Sequence, residues 1–208
     1  MAFSVPHRIE TERLVLRRYV ESDAQQLATV ITRNLGHLRT YMEWAEFEPQ
    51  TVQQREQLIA EFARQFDEGE AFTLGMFTRD GTLVGGTGYH VRTDPDRLAL
   101  GYWIDSEHEG RGLVTEACAA LTRVALEVAG AEIVDISCAP SNVRSAAVPA
   151  RLMFERQERP GQQCYDSGVK HDSITWFATR ATLATEPLAS TPRPRAFDSD
   201  GEVVPWPT

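Results

Sequence analysis

Apolar residues fall into two textures along this chain. From Leu14 to Phe66 they recur mostly at helical spacing, and from Ala71 to Ile104 they come in short runs split by turn residues. Arg13–Arg18 alternates, with Leu14 and Leu16 on one face, and predicts a first strand. Ser22 or Asp23 is placed to cap a helix carrying Leu27, Val30 and Ile31. Leu35, Leu38 and Met42 continue the pattern until a break near Pro49. Thr51 and Gln54 have capping-box spacing ahead of a second helix, whose inner face is Leu58, Ile59, Phe62, Ala63 and Phe66 and whose stop is Gly69.

The strand-like runs are Ala71–Phe77, Leu83–His90 and Leu98–Ile104. Turns at Asp80-Gly81 and around Asp94-Pro95 predict an antiparallel meander. A helix follows with Leu113, Ala117, Leu121, Val124, Ala125 and Val128 on one face, then a strand at Ile133–Cys138, a short helix at Ser145–Met153 and a last strand at Ser173–Phe177. This order predicts an α+β domain, residues 1–180, with a mixed, mostly antiparallel central sheet flanked by helices. Past Ala181 the apolar period disappears. Pro187, Pro192, Pro194, Pro205 and Pro207 predict a Pro-rich, disordered tail over residues 181–208.

Composition narrows the class. A chain of 208 residues with 42% hydrophobic and 25% charged residues suits one soluble globular domain. No apolar run approaches the roughly 20 residues of a membrane span, and the N-terminus has no apolar signal region. Cys118, Cys138 and Cys164 are odd in number and lack metal spacing, which predicts reduced thiols, a cytoplasmic protein and no bound metal. The formal charge of −9 argues against a nucleic-acid partner. It is compatible with a cationic substrate, though a chain that only needs to stay soluble explains it more simply.

The richest stretch is GYWIDSEHEGRGLVTEACAALTRVALE, residues 101–127. It predicts a strand, a loop holding Gly110 and Gly112, and an amphipathic helix. Bare amides converging at a helix N-terminus make a socket for a phosphate or diphosphate. No Gly-Lys-Ser/Thr follows the second glycine, so this is not a Walker loop, and antiparallel strands ahead of it do not suit a dinucleotide fold.

IETERLVLR, YMEWA, GYWI, EGRGLVTEA and SNVRS occur in that order. Together they resemble the GNAT superfamily of acetyl-CoA-dependent N-acetyltransferases, and within it the RimJ/RimL-like, ribosomal-protein-alanine branch, over roughly residues 8–180. The resemblance implies a GNAT acyl-CoA acyltransferase fold, acetyl-CoA as co-substrate, direct transfer to a primary amine in a ternary complex, and a homodimer. The diphosphate loop then falls on Glu109, Gly110, Arg111, Gly112, Leu113 and Val114, with backbone donors through Thr115. Glu109 stands where the family has Gln or Arg, and Val114 where it has a small residue. A carboxylate there tolerates a diphosphate only if it points outward or pairs with Arg111.

By the same resemblance the pantetheine arm lies along Gly101–Ile104, with the backbone of Trp103 and Ile104 in the site and an amide of this strand facing the oxyanion. The side chains of Tyr102 and Trp103 read as core aromatics. Asn142 and Ser145 match the family's Asn-x-x-Ser. Asn142 is placed to bond pantetheine amides, and Ser145 is either a helix cap or a proton donor to the leaving thiolate. The family's Glu aligns with Gln157, so a carboxylate base requires a register slip to Glu158. His90 is the substitute base or a structural histidine. Tyr41, Glu43 and Trp44 wall the acceptor pocket or pack between helices. The acceptor is a protein or peptide N-terminus or a small cationic amine, and a CoA-binding module without catalysis is the alternative.

Overall fold

Strand alternation and helical periodicity sort the side chains onto the two faces of one sheet. A computed structural model describes residues 3–157 and 163–207. Its strands are β1 (Arg8–Glu10), β2 (Leu14–Arg17), β3 (Ala71–Thr78), β4 (Leu83–Val91), β5 (Arg97–Ile104), β6 (Ile133–Cys138), β7 (Glu155–Gln157), β8 (Gln163–Asp166), β9 (Val169–Asp172), β10 (Ile174–Ala178) and β11 (Arg195–Phe197). Its helices are α1 (Ala24–Tyr41), α2 (Val52–Asp67), α3 (Leu113–Glu127) and α4 (Val143–Arg151). Nine strands form one sheet in the order β11-β1-β2-β3-β4-β5-β6-β10-β7, and β8 and β9 make a separate hairpin. Every neighbouring pair is antiparallel except β5 and β6. The predicted α+β class and the β3-β4-β5 meander are what the chain forms.

Each face carries its own core. Leu98 and Leu100 of β5 are buried against α3, where Leu121, Val124 and Leu126 are also buried. On the opposite face Leu27, Val30, Ile31 and Leu38 of α1 pack with Ile59, Tyr19, Phe77 and Leu83. Trp103 joins this second group while Tyr102 and Ile104 join the first, as alternation requires. Among the described residues no helix is long and apolar enough to cross a membrane.

Local signals account for the ends of α2. Thr51 Oγ1 accepts from Gln54 N at 3.2 Å and Gln54 Oε1 accepts from Thr51 N at 2.8 Å, a complete capping box. Gly69 N and Glu70 N close the last turn onto Phe66 O and Gln65 O. The expected cap of α1 is different. Asp23 precedes the helix, but its carboxylate accepts from Val20 N at 2.8 Å and from Arg17, closing the short 3-10 turn Glu21–Asp23 instead. β1, β7, β8, β9 and β11 are three or four residues each, too short for alternation to mark them.

The disordered tail is a prediction the structure corrects. β11 pairs antiparallel with the sheet edge at β1, Ile9 opposite Ala196. Leu188 and Ala196 are fully buried, and Arg123 of α3 donates to Leu188 O at 2.6 Å. Trp206 Nε1 donates to Pro194 O at 3.1 Å. An extended segment that docks through isolated apolar residues and backbone bonds needs no hydrophobic period, and it tolerates proline.

Candidate active site

The loop between β5 and α3 starts from a buried anchor. The Asp105 side chain is 0% exposed and accepts from Arg33, from Asn34 Nδ2 at 2.7 Å and from His108 Nδ1 at 2.8 Å. Asn34 Oδ1 returns a bond to Ser106 N at 2.9 Å. Burial alone pushes the Asp105 carboxyl up, but the bonds from Asn34, Arg33 and His108 outweigh it and hold the pKa below the usual carboxylate value. The loop is thereby fixed to α1, about seventy residues earlier in the chain.

Gly110 and Gly112 both have left-handed backbones, φ 72° and 75°, which bulkier residues adopt only with strain. This conformation turns the chain directly into α3, with Gly112 as its N-cap. The first backbone bond of the helix runs from Glu116 N to Gly112 O, so the amides of Leu113, Val114 and Thr115 have no intrahelical acceptor. They face a cleft of about 1680 Å³ that Glu109, Gly110, Gly112, Leu113, Val114 and Thr115 line. Arg111 is the one predicted loop residue that does not line it. Glu109 pairs with Arg144 at the start of α4, not with Arg111. That pairing draws its charge toward a cation and relieves the repulsion expected beside a diphosphate.

Next to this cleft the sheet opens. β5 and β6 pair only at Arg97–Ala99 with Ile133–Asp135; beyond that β5 runs on to Ile104 beside β4 only, and β6 continues beside β10. Asp105 N donates to Val84 O on the β4 side, and Trp103 and Gly101 share its direction by alternation. The backbone groups turned into the opening are therefore those of Leu100, Tyr102 and Ile104. Of the expected pair Trp103 and Ile104, only Ile104 turns its backbone into the opening, with Tyr102 beside it, because the Trp103 backbone is committed to Gly86 across β4. His37 Nε2 lies 3.2 Å from Ile104 O, which leaves the Tyr102 backbone the less encumbered of the two.

Asn142 and Ser145 sit on the far lip. Asn142 Oδ1 accepts from Ser145 N at 3.1 Å and is itself the cap of α4. Ser145 is thus released from capping, and its Oγ lies 3.0 Å from Tyr102 Oη. Tyr102 Oη also lies 3.0 Å from Ser145 O. The phenol is pushed well above its usual pKa by burial, so it stays a neutral hydroxyl. Burial likewise pushes the Cys138 thiol, at the end of β6, up to about 11.

A second cavity of about 690 Å³ lies on the α1–α2 face. Tyr41, Glu43, Trp44 and His90 all line it, so the structure brings together the four predicted acceptor-side residues. Trp44 and Trp103 meet with ring centroids 6.3 Å apart. Glu43 is bonded to Lys170 of the β8–β9 hairpin at 2.8 Å, and Tyr165 of the same hairpin bonds Glu46. His90 keeps contact with solvent, yet the cavity wall desolvates its ring and, with Arg92 nearby, lowers its pKa below the ordinary histidine value. A Cβ placed on Gly101 would lie 3.1 Å from His90 Nε2, so the imidazole reaches over β5 toward the opening. Gln157 is paired with Thr175 in the sheet, and Glu158 lies outside the described residues.

Tyr41, Met42, Tyr102, Trp103, Asn142 and Ser145 line both cavities, so the two share a wall beside the place where β5 and β6 part. The two glycines and the Asn-x-x-Ser, legible in the sequence, both stand at the larger cleft. Asp105 and Asn34, whose partnership spans about seventy residues, carry no local signal, and neither do Arg13 and Glu116.

Residues 13–155 match the family model described as an acetyltransferase (GNAT) domain. The "Putative ribosomal N-acetyltransferase YdaF" of Bacillus subtilis is 32% identical over 164 residues, covering 78% of this chain and 89% of the relative. The [ribosomal protein uS5]-alanine N-acetyltransferase of Escherichia coli is 31% identical over 156 residues, covering 72% and 79%. RimJ of Mycobacterium smegmatis, solved in complex with CoA-disulfide, superposes with a TM-score of 0.74 at 19% identity, covering 91% of this chain and 94% of that one. A GNAT domain over most of the chain, with two relatives 32% and 31% identical across most of it, makes this protein a member of the GNAT acetyltransferase family, an acetyl-CoA-dependent N-acetyltransferase.

Proposed function

We propose that this enzyme acetylates the N-terminal amine of a protein or peptide by direct attack on acetyl-CoA, with both substrates bound at once. The observation that carries the reading is the shared lining of the two cavities at Tyr102, Asn142 and Ser145. The ribosomal acceptors in the names of the two relatives favour a protein N-terminus over a small amine.

In this reading the diphosphate rests on the amides of Gly110–Thr115 and the pantetheine amides run along Tyr102 and Ile104. The amine enters beneath Trp44 and Tyr41. It attacks the thioester carbon as its proton passes to His90, directly or through one water. The lowered pKa of His90 leaves it neutral and able to accept near neutral pH. Negative charge on the carbonyl oxygen is met by a β5 amide. As the C–S bond breaks, the thiolate takes the Ser145 hydroxyl proton; Tyr102 Oη holds that hydroxyl in place at 3.0 Å, and the serine oxygen regains a proton from water in the open cleft. Holding amine and thioester in line supplies much of the rate.

The test is a panel of acceptors incubated with acetyl-CoA while free thiol is measured. Turnover of peptides with a free N-terminus, and little with small amines, is expected. Turnover confined to small amines would overturn the acceptor assignment, and CoA binding with no turnover of any amine would support the non-catalytic alternative.

A further inference from the structure

Resting on the reading that acetyl-CoA occupies the larger cleft, we propose that Arg13 is a diphosphate-binding residue, carried to the loop from the turn between β1 and β2 and held ready there by Glu116. The loop's own side chains supply no cation at this point. Arg111 does not line the cleft, and Glu109 is occupied with Arg144. Arg13 does line it.

Its guanidinium is positioned on two sides and open on the third. Nε donates to Glu116 Oε2 at 2.5 Å, and Nη1 donates to Arg111 O at 2.8 Å. Nη2 has no hydrogen-bond partner among the described residues and lies 3.7 Å from where a Cβ on Gly112 would stand. It therefore lies beside Gly112, the N-cap residue of α3. The side chain remains 46% exposed, which lets a ligand reach it without unpacking the fold.

Glu116 explains why the arginine is fixed. It sits in the first turn of α3 and accepts from Thr11 Oγ1 at 2.6 Å and from Arg13 N at 2.9 Å, in addition to Arg13 Nε. A carboxylate in that turn suits the helix dipole but would repel a diphosphate one turn away. Arg13 neutralises it and leaves one N–H pair directed at the loop. A guanidinium fork suits this task better than an ammonium, because it bonds the carboxylate, the loop carbonyl and a phosphate oxygen from one plane. Separately, the bond from Nη1 to Arg111 O braces the glycine turn in its left-handed form, so Arg13 both shapes the socket and enters it.

The experiment compares acetyl-CoA, acetyl-dephospho-CoA and acetyl-pantetheine as donors to an alanine-initiated peptide, using the full chain and its R13A, R13K and R13A/E116Q variants. Acetyl-pantetheine lacks the diphosphate, so it controls for folding and for the chemical step. R13A is expected to lower kcat/KM about ten- to a hundredfold for both CoA donors, the range of one charged hydrogen-bonding partner, and to leave acetyl-pantetheine within twofold. R13K recovers only part of the loss, and adding E116Q to R13A recovers part by removing the uncovered charge. If R13A leaves all three donors unchanged, or lowers all three alike, Arg13 does not serve the diphosphate and the inference fails. If the unaltered enzyme turns over no donor and binds no CoA, the cofactor reading itself fails.

Discussion

Replacing Asp105 removes the carboxylate from which the loop between β5 and α3 is hung. Its side chain is fully buried, and three donors converge on it from Arg33, Asn34 and His108. In Asp105→Ala these donors lose a charged partner, each such bond being worth about 1.5–3 kcal/mol. Arg33 is 39% exposed and recovers part of its loss from water, whereas Asn34, 1% exposed, does not. We expect a net cost of about 3 kcal/mol, the lower end of the range for breaking a buried ionic contact. Urea denaturation at pH 7 reads this as a lower midpoint at an unchanged slope. The pH dependence has a definite sign. A carboxylate whose folded pKa is depressed stabilises the fold above its unfolded pKa, about 4. That contribution is lost as the pH falls through the folded value. The gap between the parent and Asp105→Ala should stay constant from about pH 7 to 5 and close below about 4. A variant within about 1 kcal/mol of the parent at pH 7, or a gap that widens on acidification, would refute the anchoring role.

Ser145→Ala should lower kcat about a hundredfold, in the range of a lost proton donor. It should leave the KM for acetyl-CoA and the unfolding midpoint nearly unchanged, since Asn142 caps α4; unchanged kcat would remove Ser145 from the chemistry. His90→Gln should abolish the acid limb of the pH–rate profile, which in the parent falls as the imidazole protonates below its ordinary pKa of about 6.5; an unmoved limb assigns the base elsewhere. Ending the chain at Arg180 removes Leu188 and Ala196 from the core and strips Arg123 of its bond to Leu188 O, so calorimetry should show a loss of at least about 3 kcal/mol. A truncated chain as stable as the parent would show the tail to be dispensable.

The part of the architecture carried by long periodic segments was legible in the chain. The alternation of Leu98–Ile104 and the helical spacing from Leu113 to Val128 predicted β5 and α3 within a few residues. Thr51 and Gln54 marked the start of α2 by a local bond, which needs no tertiary context. Gly110 and Gly112 announced a backbone no other residue adopts freely. What stayed hidden depends on partners far apart in sequence. Asp105 and Asn34 look unremarkable alone, as do Arg13 and Glu116. The tail looks structureless because Leu188 and Ala196 are isolated in its sequence, yet each fills a site prepared by α3 or by the edge strand β1. The direction of Trp103 required the β4 register, since a strand's sequence does not say which edge will be left unpaired.

The loop's role is tested most directly by backbone amide chemical-shift mapping during titration with CoA. Binding should shift the amide resonances of Gly110 through Thr115 most strongly, with Tyr102 and Ile104 following along the opened edge of β5. Saturable binding that moves other amides and leaves Gly110–Thr115 in place would contradict the assignment of this turn as the diphosphate socket.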